Sequence, residues 1–173
     1  MNVKLIKILV PSFILIVLLS YVFIPFQTVL LITETRTEKP HYFYVPIQEQ
    51  KAFTIRYVHS IHLTDVLEQY EITQDHQLKM LEVSYENLGI GMPSSAGEDE
   101  VLELKDGVYT LTYKNKVIDS FRLHIGRVDA DLTLRYKENE IDLKGNLEKG
   151  KNYEFKAVKI SNMKLWKGEQ LNG

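Results

Sequence analysis

The sequence predicts an all-β domain, an antiparallel, meander-rich sandwich or partly closed barrel, preceded by one N-terminal transmembrane helix. Three observations carry this expectation. From about residue 40 onward apolar and polar residues alternate with a period of two; short turn signals separate the alternating runs; and one apolar stretch fills the N-terminus.

The apolar stretch comes first. Ile8 to Thr33 contains no charged residue and is rich in Ile, Leu, Val and Phe. A bilayer core of about 30 Å needs about 20 helical residues, so the run is long enough to span. Lys4 and Lys7 precede it and Glu34 is the first charge after it, which directs the N-terminus to the cytoplasm and the rest outside. A cleaved signal peptide is the rival, but it calls for a shorter apolar region and small residues at its end. Here the run ends Tyr21-Val-Phe-Ile-Pro-Phe-Gln-Thr28, which favours an uncleaved anchor, with Pro11 and Pro25 near its ends. The expected organisation is a cytoplasmic N-terminus (1–7), a signal-anchor (8–33), a neck (34–40), an extracytoplasmic β domain (41–160) and a flexible tail (161–173). In that tail Trp166 stands between Lys164 and Lys167, a weak signal for contact with lipid.

The strands follow. Phe53, Ile55 and Tyr57 alternate with Thr54 and Arg56, and Val66, Tyr70 and Ile72 alternate with Leu67, Gln69 and Glu71. Tyr109 to Tyr113, Phe121 to Ile125, Leu132 to Tyr136 and Tyr153 to Ala157 continue the pattern. Asp106-Gly107, Lys114-Asn115, Glu138-Asn139 and Lys144-Gly145-Asn146 punctuate it as turns. No long segment keeps a helical period, so about seven to ten strands are expected.

Composition narrows the function classes. Charge is nearly balanced, with 21 basic and 23 acidic residues, and no basic stripe tracks a phosphate backbone, which argues against nucleic-acid binding. The absence of cysteine removes disulfides, thiolate metal sites and catalytic thiols.

The residues that depart from packing logic lie in one hairpin, Phe53 to Ile72. On a continuous strand His59 shares a face with Phe53, Ile55 and Tyr57, while Glu68 shares one with Val66, Tyr70 and Ile72. With His59 opposite Val66 the pair is diagonal, about 7–8 Å apart at Cα, and a two-residue shift makes it directly opposed. Either register allows an imidazole–carboxylate contact. Such a pair can fix the register of the hairpin or form part of a ligand or partner site. A metal reading is weaker, because His59 and His62 fall on opposite faces of a strand unless the chain turns at Ser60. Ser60, Thr64 and Asp65 suit local side-chain to backbone bonds. Ser60 is no hydrolase nucleophile: it lacks the Gly-x-Ser-x-Gly turn, and adjacent His59 points away on a strand. The run Leu88 to Glu100 reads as a loop, ordered from Gly89 to Pro93 by burial of Ile90 and Met92 and mobile from Ser94 onward.

Tyr57-Val-His-Ser60, Val66-x-Glu68-x-Tyr70, Tyr85, Gly89-x-Gly91-Met-Pro93 and Asp106-Gly107 together resemble the bacterial domain-of-unknown-function 1850 family, over about Phe53 to Leu134. Members of that family are short exported or singly anchored proteins, linked through gene neighbourhood to the membrane subunits of TRAP-type solute transporters of the TAXI class. The resemblance implies an accessory or binding role beside such a permease, with no cofactor and no demonstrated activity. One departure stands out. Where family members often carry a histidine after the strand Phe121–Gly126, this chain has Arg127-Val-Asp-Ala-Asp131, and His124 falls too early and on the wrong face. The expected ligand or partner surface comprises His59, Ser60, Glu68, Tyr85, Gly89, Gly91, Met92 and Pro93, with no catalytic or metal-binding residue. The expected partners are the lipid bilayer, through 8–33, and a TRAP-type permease subunit. The alternative is a structural envelope module without a ligand; a metal-dependent hydrolase comes last.

Overall fold

A computed structural model describes residues 3–89, 91–128 and 130–172, with side chains on the first helix from Leu9. Helix α1 (Val3–Phe23) leads into strands β1 (Gln27–Glu34), β2 (Tyr42–Pro46), β3 (Ala52–Val58), β4 (Asp65–Ile72) and β5 (Leu78–Tyr85). Then come β6 (Glu100–Lys105), β7 (Val108–Tyr113), β8 (Val117–Ile118), β9 (Phe121–His124), β10 (Leu132–Tyr136) and β11 (Asn139–Asp142). The chain finishes with α2 (Leu143–Asn146), β12 (Asn152–Ile160), α3 (Asn162–Leu165) and β13 (Glu169–Gln170).

Alternation decides which residues go inside. A smaller sheet runs β13-β2-β1-β12-β9, and a larger one β11-β10-β3-β4-β5-β7-β6 with β8 paired to β5. Pairing is antiparallel apart from β13 on β2, and among the described residues neither sheet closes into a barrel. Leu30, Ile32, Tyr153 and Phe155 of the smaller sheet meet Phe53, Ile55, Tyr70, Ile72 and Leu134 of the larger in one buried cluster. Each such side chain contributes roughly 1.5–3 kcal/mol by leaving water. A second cluster, Val66, Val83, Tyr85, Leu111 and Tyr113, lies further along the larger sheet and is covered by Met92. The β6–β7 turn uses Asp106 and Gly107 at φ 51° and 84°, the left-handed pair that the Asp-Gly signal predicts.

Four expectations change. The apolar stretch 8–33 is not one helix. Helix α1 stops at Phe23, Pro25 cannot continue the hydrogen bonding, and β1 enters the smaller sheet between β2 and β12. There Val29, Leu30 and Ile32 are fully buried, so the protein interior replaces the expected lipid around them. Among the described residues no helix is long and apolar enough to cross a membrane. The expected neck 34–40 is instead a β-hairpin connection, closed by Glu34 N–H to His41 O at 3.1 Å.

The expected tail is folded as well. Asn162 Nδ2 donates to Tyr21 O at 3.0 Å, β13 pairs with β2, and Leu171 is buried in the main core. Trp166 remains 70 % exposed. Lys144-Gly145-Asn146 belongs to α2 rather than to a turn, because Asp142 caps the Lys144 N–H at 2.9 Å. The loop after Leu88 gives way to β6 at Glu100, and the expected burial of Ile90 lies outside the described residues.

Candidate functional site

The hairpin carries the site, in a register that neither sequence option anticipated. Tyr57 lies opposite Val66 and Ile55 opposite Glu68. Strand β3 ends at Val58, so His59 sits in the connecting loop, where its N–H donates to Thr64 O and its carbonyl accepts from Leu63, both at 2.9 Å. Leu63 takes φ 55°, closing this tight loop. The expected His59–Glu68 pair is therefore not formed; each residue finds other partners.

Glu68 bonds to two tyrosines. Tyr57 donates its hydroxyl to Oε1 at 3.1 Å, and Tyr70 donates to Oε2 at 2.6 Å. Both tyrosines lie on Glu68's face of the sheet, one diagonal across the strand pair and one two residues along. Burial first, and then the adjacent Glu68 charge, push both phenols above their usual range, which keeps them protonated as donors. Tyr70 is held by stacking on Phe53 at 5.3 Å and on Phe121 at 4.9 Å.

His59 turns back on its own loop. Its Nδ1 accepts from the N–H groups of Ile61 and His62, each at 3.3 Å. The turn at Ser60 brings the two imidazoles into a stack with centroids 4.8 Å apart. Gly89 and Gly91 lie against this stack: a Cβ on Gly89 would sit 2.6 Å from His62 Nε2, and one on Gly91, at φ +89°, 3.7 Å from His59 Nε2. Tyr85 is buried and donates to Pro93 O, fixing the segment from below, while Met92 packs on the second core cluster. His62 Nε2 is buried and has no hydrogen-bond partner among the described residues. No cluster of three or more metal-ligating side chains occurs among the described residues.

Between the hairpin and the 123–132 segment opens a cleft of about 770 Å³. Tyr57 and Glu68 line it together with Leu132, which lies beside Tyr57 in the same sheet, and with His59, Ser60 and Leu63 from the loop; Leu123 and His124 of the smaller sheet, Gly126, Ala130 and Lys144 complete the lining. Arg56 ties neighbouring strands of the larger sheet together on its outer face. Its guanidinium reaches Asp65 at 2.9 Å, Asp131 at 3.5 Å and Glu140 at 3.6 Å, and Val58 N–H donates to Asp131 O.

Of the residues expected at the site, His59, Ser60 and Glu68 line the cleft. Tyr85, Gly89, Gly91, Met92 and Pro93 do not; they support the loop from behind, because the glycines are needed for close approach to the imidazoles. Ser60 is exposed, and His59 Nδ1 addresses main-chain N–H groups rather than its hydroxyl. Tyr57, Tyr70, His124 and Lys144 were missed as functional groups. The tyrosines stood in the motif but read as core. His124 does reach the cleft, its Nδ1 3.2 Å from Asn152 Oδ1, although alternation placed it on the wrong face.

The sequence model of a family described as Domain of unknown function (DUF1850) matches residues 53–143, more than half of the 173-residue chain. The chain belongs to the DUF1850 family. No curated protein and no solved structure matches it. The DUF1850 match takes in β4 to β11 whole and nearly all of β3, hence the larger sheet and the cleft lining apart from Lys144. Strands β1, β2, β12 and β13, which complete the smaller sheet, lie outside it.

Proposed function

We propose that this DUF1850 protein is a membrane-anchored, extracytoplasmic and non-enzymatic binding domain, accessory to a TRAP (TAXI)-type permease, and that the cleft receives its ligand or partner. The cleft carries this reading: at about 770 Å³ it is in the size range of small-molecule sites, with mostly apolar walls and a few convergent polar groups. Anchoring draws support from α1, whose side chains from Leu9 to Leu19 are exposed and almost wholly apolar, as in a helix facing lipid. The permease enters through the family resemblance.

Gly126 provides the test. It lines the cleft, and a Cβ there meets nothing within 4 Å, so Gly126→Trp introduces an indole at the cleft with no clash at its Cβ. The tagged full chain should capture the neighbouring permease subunit from solubilised membranes, and Gly126→Trp should abolish that capture at unchanged thermal midpoint. Capture unaffected by the tryptophan would remove the cleft from the function.

A further inference from the structure

Glu68 is a carboxylate in an apolar cleft with no cationic partner. Among the described residues no Lys, Arg or His side chain comes within ion-pair distance of it. Glu68 is half-buried, and its only side-chain partners among the described residues are two neutral tyrosine hydroxyls. Each carboxylate oxygen offers about two acceptor sites, and each receives one hydroxyl, so one remains open on each. Lys144, the basic residue of the lining, is committed to Val128, whose carbonyl accepts from Nζ at 2.7 Å. His59 presents Nδ1 to two main-chain donors. The open acceptors, the surrounding apolar side chains of Leu63, Leu123 and Leu132, and the Tyr57 ring beside them suit one chemistry.

We propose that the cleft binds a small organic amine, its ammonium group on Glu68 and its apolar body against Leu63, Leu123 and Leu132. This rests on the cleft being the binding site, as proposed above. The ammonium supplies the counter-charge that the chain withholds. Its donors complete the two carboxylate oxygens, and partial exclusion of water strengthens the pairing. The bidentate geometry held by Tyr57 and Tyr70 pre-organises the acceptors, so little is lost in ordering them on binding.

Three probes that share one apolar body and differ in charge decide the matter: benzylamine, benzyl alcohol and benzoate, titrated into the purified full chain at neutral pH by calorimetry. Benzylamine should bind about tenfold or more tighter than either of the others, and Glu68→Gln should erase that preference. Lys105→Gln, an exposed position on β6 that does not line the cleft, should leave it intact. Equal binding of amine and alcohol, tighter binding of benzoate, or an amine affinity unchanged in Glu68→Gln overturns the ligand class. Should Glu68→Gln fail to fold, the three-probe comparison on the native chain still decides. Gly126→Trp separates the two levels. Amine binding that survives it overturns the cleft as the site, whereas loss of the amine preference with permease capture still dependent on Gly126 overturns the amine alone.

Discussion

Tyr70 Oη and Glu68 Oε2 are 2.6 Å apart, two residues along the same strand and on the same face, while the other carboxylate oxygen accepts from Tyr57 on the neighbouring strand. This arrangement makes Glu68 the fixed point of the cleft. Both partners are neutral hydroxyls that fix the direction of the carboxylate without supplying a counter-charge.

Removing either hydroxyl should weaken the fold. Tyr70→Phe and Tyr57→Phe each delete a hydrogen bond to a charged acceptor, at about 1.5–3 kcal/mol apiece. Because both act on one carboxylate, the double variant should depart from additivity by about 0.5 kcal/mol or more. Urea unfolding of the three variants provides the cycle; strict additivity would mean that the two tyrosines do not share Glu68 as a partner.

The contact between Gly89 and the stacked imidazoles predicts a position-specific glycine effect. Gly89→Ala places a methyl group 2.6 Å from His62 Nε2 and 2.9 Å from its Cε1. The imidazole must shift and disturb the stack, at a cost of about 1–3 kcal/mol. Gly126→Ala, in open space, should change stability by less than about 0.5 kcal/mol. Amide hydrogen exchange in residues 59–64 should rise in the first variant and stay unchanged in the second.

Glu34 predicts the acid limb of the stability profile. It is 6 % exposed, and Lys151 Nζ lies 2.8 Å from Oε1. The hydrogen bond from Lys151 is the main cause that holds its carboxyl below the ordinary 4.5, against the opposing effect of burial. A depressed folded pKa stabilises above the unfolded value and loses that contribution as pH falls through the folded one. Stability should therefore decline below about pH 4.5, and Glu34→Gln should flatten this part of the curve. Thermal midpoints between pH 3 and pH 7 would check it, an unchanged acid slope in the variant being the adverse result.

The folded C-terminus makes a prediction that a frayed tail would not. Leu171 is 2 % exposed within the main core, and its N–H donates to Tyr44 O at 3.0 Å. Leu171→Ala should cost about 2–5 kcal/mol, as for other buried leucines. Trp166→Ala, at an exposed position, should leave the soluble-state stability within about 0.5 kcal/mol of the parent chain. Denaturant midpoints distinguish the two.

The sequence by itself determined the inner face of each strand it identified, and the Asp106-Gly107 turn. Phe53, Ile55, Val66, Tyr70 and Ile72 are all buried as their alternation requires, because a period of two assigns faces whatever the strand lies beside. It also singled out His59, Ser60 and Glu68, all three of which line the cleft. Register was another matter. A shift of two residues preserves every face, so alternation cannot separate a His59–Glu68 pair from the observed Tyr57–Glu68–Tyr70 arrangement. The loop decided it, through His59 folding back on Ile61 and His62 and through the Arg56–Asp65 ion pair. Long-range pairing decided the rest. Val29, Leu30 and Ile32 are as apolar as a membrane segment, and only β2 and β12 on either side make them a strand. His124 and Lys144 reach the cleft because β9 pairs with β12 and Lys144 Nζ bonds Val128 O, contacts between residues far apart in the chain that no local pattern encodes.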